Sequence, residues 1–326
     1  MPLLTMATCR NAHLFAQEPD DQLLQNVLHK AGIATELVAW DDPTYDWSKP
    51  ALVLIRSTWD YPSNYKSFLS WVRLIASQTT LWNPSPLVHW NAHKTYLREL
   101  ERLGIPIIPT VWLPTLNRVR LPVLMQSTGW KQVVIKPVVG TSGRQARVIT
   151  AQTLEEGQVH LDILLQSGEA MVQPFLPSFY ASGERSLIFI DGHFTHAMRK
   201  RFSLVQGLDQ QGLMPVTADP EELTFAERVL QKLSLPVLFA RVDLVRDHQH
   251  RLLLNELEVI EPVLFLAHSD SALQRLTDTC LDRLSHAAER RQPMPEVTQK
   301  PVNHLSSGSE VPEAEPRQVP TAIAFW

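Results

Sequence analysis

Cysteine is nearly absent from this chain. The two present, Cys9 and Cys280, lie far apart and form no CxxC pair, which argues against a disulfide framework and a zinc knuckle and suits a reducing cytoplasm. Charge of one sign is lacking too: 30 basic against 34 acidic side chains leave a net charge of -4, with no general attraction for a nucleic-acid backbone, so no nucleic-acid partner is expected. No apolar run reaches the roughly 18 residues of a membrane span, and the first residues carry no basic region followed by an apolar stretch. Neither membrane insertion nor targeting is expected, and a cytoplasmic location is. Three signatures are missing as well: a Walker-A GxxxxGK[ST], a GxGxxG after the first strand, and a GxSxG elbow, because Gly140-Thr141-Ser142-Gly143 has the wrong spacing. Their absence removes the P-loop, dinucleotide-binding and α/β-hydrolase readings.

What is present is a globular composition. With 326 residues, 44% of them hydrophobic, the chain can bury a sizeable core in two or three folded units. Asp20 to Gly32 reads as a helix with an acidic start and a glycine stop. Ala51 to Ile55 reads as a buried parallel strand that ends in Arg56-Ser57-Thr58-Trp59-Asp60-Tyr61, and Lys66 to Ala76 as a second helix. Prolines in Leu81-Trp82-Asn83-Pro84-Ser85-Pro86 mark a boundary. Asn91 is expected to cap a helix through Lys94, Leu97 and Leu100, Ile105 to Thr110 to resume as a strand, and strands and turns to predominate to about Ile190. After residue 290, six prolines in the last 36 residues and a Ser-Ser-Gly-Ser stretch predict a disordered tail.

Two segments have the makings of chemistry. Val133-Val134-Ile135-Lys136-Pro137 sets a lysine on an apolar strand just before Gly140-Thr141-Ser142-Gly143-Arg144, where glycines let backbone N–H groups converge on an anion and the lysine supplies a mobile charge. Taken alone, the same composition also describes a solvated strand end. The second segment, Ala240 to Val259, has the form of a β-hairpin. A two-residue loop at His248-Gln249 would set Asp243 opposite Leu254 and Arg241 opposite Glu256, bringing Arg241, Asp243, Glu256 and Glu258 to one face. Three carboxylates there repel unless cations are present, and hard oxygen donors suit Mg²⁺ with a substrate phosphate. The plainer alternative is a solvated hairpin face whose charge Arg241 partly offsets. His248 and His250, and likewise His89 and His93, lack further ligands nearby and read as solvated.

The order of these features is informative: Lys94, Lys136, a glycine turn, Met171-Val172-Gln173-Pro174-Phe175-Leu176, Gly183-Glu184-Arg185, Asp243 and Glu256-x-Glu258. As an ordered set over residues 1 to 285 they resemble ATP-grasp enzymes, most nearly the branch of D-cycloserine synthase, prokaryotic glutathione synthetase and the ribosomal-protein glutamate ligases. The resemblance implies an α/β fold: an N-terminal Rossmann-like domain over 1–86, an ATP-grasp lid subdomain over 87–176, a C-terminal subdomain with the metal site over 177–290, both α+β, and the tail over 291–326. It implies ATP and two Mg²⁺ ions as cofactors. Lys94 and Lys136 match the lysines that hold the phosphates, and Gly140, Ser142 and Gly143 the loop that closes over them. Gln173, Pro174, Phe175 and Leu176 match the adenine hinge, and Glu184 the ribose-binding acid. Asp243, Glu256 and Glu258 match the metal ligands, with Glu258 where many relatives have asparagine. Arg199, Lys200 and Arg241 match catalytic cations near the triphosphate. Arg56 and Asp60, in a phrase similar to this branch's own, are candidates for a substrate's carboxylate and ammonium, while Trp59 and Tyr61 read equally well as packing.

The implied activity is an ATP- and magnesium-dependent ligase or cyclase that activates an amino-acid-like carboxylate as an acyl phosphate for an amine-type nucleophile, ring closure included. The small molecule is the expected partner, and a homo-oligomer is left open because related enzymes are often dimers or tetramers. After Lys200, the stretch from Phe202 to Gln206 lacks an arginine that relatives often carry, and no Gly-Gly pair follows. That departure keeps two alternatives in view, an ATP-grasp kinase and an ATP-binding protein without ligase activity.

Overall fold

Short apolar runs separated by amphipathic helices build a first, parallel sheet. Strands β1 (Leu3–Thr8), β2 (Ala34–Ala39), β3 (Leu52–Ile55) and β4 (Thr80–Trp82) run in the order β2-β1-β3-β4. Parallel neighbours need crossovers, and α1 (Asp20–Lys30) and α2 (Tyr65–Gln78) supply two. Every residue of β3 is buried because helices cover both faces: Leu52 and Leu54 pack with Leu24 and Leu28, Val53 and Ile55 with Phe68 and Trp71. The structure, a computed structural model, describes residues 3–10, 20–141, 143–203 and 207–291. The tail expected to be disordered lies outside them, apart from Arg291 at the end of the last helix.

Helices α3 (Ser85–Asn91) and α4 (Tyr96–Arg102) follow, and Lys94 stands in the turn between them. Asn91 is therefore not the expected N-cap. It ends α3, and its amide donates to the Leu257 carbonyl and accepts from Val259 N–H, a buried pairing with a neighbouring strand that satisfies both ends of the side chain. The strand expected from Ile105 is also absent there. Pro106 and Pro109 remove two N–H donors, leaving only an isolated bridge between Ile107 and Leu254.

A second sheet contains β5 (Val111–Leu113), β6 (Val133–Pro137), β7 (Arg147–Ile149) and β8 (Ala170–Pro174), antiparallel in the order β5-β8-β6-β7. Where mainly strands and turns were expected, α5 (Leu121–Thr128) and α6 (Leu154–Ser167) cover it, with Leu121, Leu124, Leu161 and Leu165 packed on Val133, Ile135 and Val172. The apolar spacing in α6 is helical, and burial against a sheet is what such a stripe requires.

After the short α7 (Ser178–Ala181) come β9 (Glu184–Ile190), β10 (His193–Ser203) and β11 (Gly207–Val216), then α8 (Pro220–Leu230), β12 (Phe239–Arg246), β13 (Leu252–Glu258) and α9 (Asp270–Arg291). The five strands form an antiparallel sheet in the order β11-β10-β9-β12-β13. One face packs Leu187, Phe189, Val242 and Leu244 against Phe225 and Val229 of α8. The other face is divided. Ile188, Ile190 and Met198 share a core with Leu276 of α9 and with Leu4 and Leu52 of the first sheet. The remaining half carries Glu184, Ser186, Lys200, Arg241 and Asp243, all buried. Met1–Arg291 form one compact unit, and among the described residues no helix is long and apolar enough to cross a membrane.

Candidate active site

The hairpin of β12 and β13 sets the site, through a register that differs from the expected one. Its loop has three residues rather than two: Asp247 N–H donates to the Arg251 carbonyl, and His250 takes a positive φ of 62°. That loop sets Leu244 opposite Leu254, and an unbroken ladder would then set Asp243 opposite Asn255, turning Glu256 and Glu258 to the far face. A bulge at Asn255 supplies one more residue, so Asp243 pairs with Glu256 and Arg241 with Glu258. Loop and bulge together bring the four charges to one face, with pairings the two-residue loop did not predict. The same rows continue across the sheet, with Ser186 beside Asp243, Ile188 beside Arg241, and Lys200 opposite Glu184.

Side chains on this face form a chain of contacts. Lys200 Nζ lies 2.7 Å from Glu184 and 3.1 Å from Asp243. Arg241 reaches Asp243 at 2.9 Å and also pairs with Glu258. Asn255 donates to Glu184, and its Oδ1 accepts from Lys136 at 3.5 Å. From the turn after α3, Lys94 pairs with Glu256, and its backbone N–H is held by the Val138 carbonyl. The backbone supports this closely: a Cβ on Gly183 would lie 2.7 Å from the Lys200 carbonyl, so only glycine admits that approach beside Glu184. Four cations, Lys94, Lys136, Lys200 and Arg241, thus meet four carboxylates, Glu184, Asp243, Glu256 and Glu258.

Electrostatics separate these groups. Burial opposes ionisation of Asp243, but Arg241 and Lys200 override it and hold the carboxyl well below its usual range. Burial dominates at Glu258 despite Arg241, and Glu256 and Asp243 push the same way, raising it to about 7. At Glu256 the attraction of Lys94 and Lys136 exceeds the cost of burial and lowers the pKa. Burial lowers Lys136, with Glu256 opposing, whereas Lys94 is raised against its burial by Glu256.

Not every expected residue arrives here. Arg199 does not: successive strand residues alternate faces, so Arg199 pairs with Arg185 behind the sheet while Lys200 faces the cluster. Glu184 is buried on this face, its carboxylate engaged by Lys200 and Asn255. Arg56 is enclosed, bonding Asp21 at 2.9 Å and the Pro262 carbonyl at 3.3 Å, and Asp60 accepts from the Trp40 indole. Gln173 is buried and donates to Thr110; next to Pro174, Phe175 N–H is taken by the Gln132 carbonyl, while Leu176 N–H has no partner among the described residues. Gly140 and Gly143 flank Thr141, whose hydroxyl donates to the Trp59 carbonyl at 2.9 Å; Ser142 lies outside the described residues. Two contributors went unanticipated in sequence, Asn255, visible only through the bulge, and Glu261, three residues past Glu258. Burial and the nearby Glu258 hold Glu261 well above the carboxylate range.

As for a metal, Asp243, Glu256 and Glu258 offer hard oxygens of the type magnesium takes. Among the described residues, no three His, Cys, Asp or Glu side chains form a ready cage. Magnesium commonly uses one or two carboxylates and completes its shell with phosphates and water, so the donor set fits an ion that enters with a nucleotide.

Comparison with known proteins agrees. Residues 4–83 match the family model described as the N-terminal domain of D-cycloserine synthetase DcsG. The cycloserine biosynthesis protein DcsG of Streptomyces lavendulae is 30% identical over 269 residues, 78% of this chain and 90% of that protein. The crystal structure of D-cycloserine synthetase DcsG superposes with a TM-score of 0.79 at 27% identity, covering 86% of this chain and 99% of that one. D-alanine–D-alanine ligase from Bacillus anthracis complexed with ATP shares the fold, with a TM-score of 0.62 at 13% identity over 89% of this chain and 100% of that one. Fold and relatives define the class as ATP-grasp, ATP-dependent ligases that form C–N bonds. Within that class the chain belongs to the family of D-cycloserine synthetase DcsG.

Proposed function

We propose that this enzyme uses ATP and Mg²⁺ to convert an amino-acid-like carboxylate into an acyl phosphate, which an amine-type nucleophile then attacks, with ring closure of the D-cycloserine kind as the working reaction. The observation that carries the reading is the approach of Lys94 and Lys136, from two separate elements, to β13, where Lys94 pairs with Glu256 and Lys136 reaches the Asn255 amide oxygen. A balanced set of four cations and four carboxylates has no net charge to hold a triphosphate, so metal cations entering with it complete the electrostatics. When bound, magnesium would be held by Glu256, Glu258 and Asp243, as two ions, and would neutralise charge on the phosphate oxygens.

The chain's own groups supply positioning. Lys136, without a carboxylate in contact, is the cation for a phosphate oxygen, and Lys94 is the second. The substrate carboxylate attacks the γ-phosphorus, ADP leaves, and the nucleophile displaces phosphate from the acyl phosphate. Arg241, held in a fixed plane by Asp243, is aimed to stabilise charge on the acyl phosphate, and Lys200 keeps Asp243 and Glu184 in place. The Gly140–Gly143 loop, anchored through Thr141 on Trp59, excludes water that would hydrolyse the intermediate.

A phosphate-release screen with ATP, Mg²⁺ and a panel of amino acids and ureido-amino acids, singly and in pairs, tests the reading. ADP, free phosphate and a new C–N bond are expected. A stable phosphorylated product without phosphate release would identify a kinase, and nucleotide binding without turnover a binding protein.

A further inference from the structure

The five-stranded sheet carries a second group of charges on the face away from the cluster. Lys200 points to the cluster, so its neighbours Arg199 and Arg201 project behind β10. Both line an open cleft of about 580 Å³, together with Arg185, Arg246 and the start of α8. A glycine makes room for them. Gly183 has a positive φ of 80°, and a Cβ there would lie 3.0 Å from Arg199 Cγ and 3.3 Å from Arg201 Cγ, so the two stems close in on one point of the cleft wall.

Three acids stand at the start of α8, and the other two arginines take them. Arg185 bonds Glu222 at 2.9 Å and the Thr217 carbonyl at 2.6 Å, while Arg246 reaches Glu221 at 3.0 Å and Asp219 at 3.9 Å. Arg199 and Arg201 are left over, with no ion-pair partner among the described residues. Arg199 Nε is buried without an acceptor, and its Nη2 meets only the Met214 thioether, a weak acceptor. Arg201 is exposed and stands opposite Asp209 in the ladder, which leaves Arg199 as the principal free cation of the cleft.

We infer that this cleft binds the phosphate group of a small molecule, held by Arg199 and Arg201 on the face of the sheet away from the catalytic cluster. A guanidinium presents a planar fork of N–H donors that matches phosphate oxygens, and two of them side by side suit a dianion better than a singly charged carboxylate. The volume lies within the roughly 300–1,000 Å³ of small-molecule sites, so a phosphate ester has room as well as the free ion. Two sources present the same dianion: the free phosphate that the ligase releases, and a phosphorylated metabolite.

Isothermal titration of the full chain, without ATP or Mg²⁺, against inorganic phosphate, glycerol phosphate and acetate at one ionic strength tests the site. Saturable binding of both phosphates is expected with a Kd of about 1 mM or below, about tenfold tighter than acetate. Lys136→Met disables the phosphate contact of the nucleotide site and should leave this affinity within about twofold. Arg199→Gln, in the wild type or on the Lys136→Met background, should weaken phosphate about tenfold or more, and the more exposed Arg201→Gln about threefold. Tighter binding of glycerol phosphate marks a phosphorylated metabolite as the occupant, and tighter binding of inorganic phosphate marks the reaction's own product; both orders support the site. Affinity lost in Lys136→Met but kept in Arg199→Gln would move the phosphate to the nucleotide site and overturn the inference. So would acetate binding as tightly as phosphate, or no saturation below about 10 mM in the wild type. None of these outcomes bears on the ligase reading, because no turnover is measured. A thermal melt of each variant identifies any that fail to fold, and Arg199→Lys, which keeps the charge without the fork, should retain part of the affinity that Arg199→Gln loses.

Discussion

Lys94 and Lys136 are the same residue type, lie in the same charged cluster and are both drawn toward Glu256, yet the protein treats them oppositely. Lys94, in a turn between two helices, is paired with Glu256, which raises its pKa against the cost of burial. Lys136, on a strand of the second sheet, finds only the Asn255 amide oxygen at 3.5 Å; burial lowers its pKa and Lys94 repels it. One cation is satisfied by the fold and the other is held in reserve. A buried cation without a counter-charge is costly to keep, and its retention beside a glycine loop makes sense when an anion arrives from outside.

Lys136→Met separates the two lysines most sharply. ATP affinity should fall about 100-fold or more while folding stability is unchanged or rises, because the removed charge is costly to bury and touches no carboxylate. Nucleotide titration and a thermal melt check both halves, and a large stability loss would contradict the contrast. Lys94→Met should weaken ATP about tenfold and also destabilise the fold by about 1–2 kcal/mol as Glu256 loses its partner. That is below the roughly 3–5 kcal/mol of a fully buried pair, since the side chains are 13% and 24% exposed. Denaturant unfolding without nucleotide reads it.

Glu258 extends the contrast to carboxylates. Its pKa is raised from 4.5 to about 7, so the folded state favours the protonated form. The stability that this group contributes is full below about pH 4.5 and is lost as pH rises through about 7. Glu258→Gln should remove that part of the slope, so that unfolding measured without nucleotide or metal at pH 5 and pH 7.5 differs less in the variant than in the wild type. The smallest effect belongs to Arg199→Ala. With its side chain behind β10, ATP affinity and turnover should change by less than about twofold, and a larger loss would return Arg199 to the site.

Much of the cluster was legible as residue types. A lysine before a glycine turn, and acids two apart on a strand, are local patterns with local meaning. Arg199 and Lys200 could not both face one site, and the alternation of a strand already separated them. The hairpin register was not legible: a three-residue loop and a bulge at Asn255 each shift parity by one, and their combination preserved the face of the acids while changing every pairing. The surroundings of Arg56 and Asp60 were not legible for a different reason, since the carboxylates and the indole that engage them, Asp20, Asp21 and Trp40, lie 20 or more residues away.

By itself the sequence determined which charges exist, their order along the chain, the parallel strand with its flanking helices, and membership of a ligase class, because backbone preference and apolar periodicity act over a few residues. Only the tertiary structure decided which charges are mutually satisfied and which are left for a ligand. That choice depends on distances between residues far apart in the chain, on the parity of a single bulge, and on desolvation that no local pattern encodes.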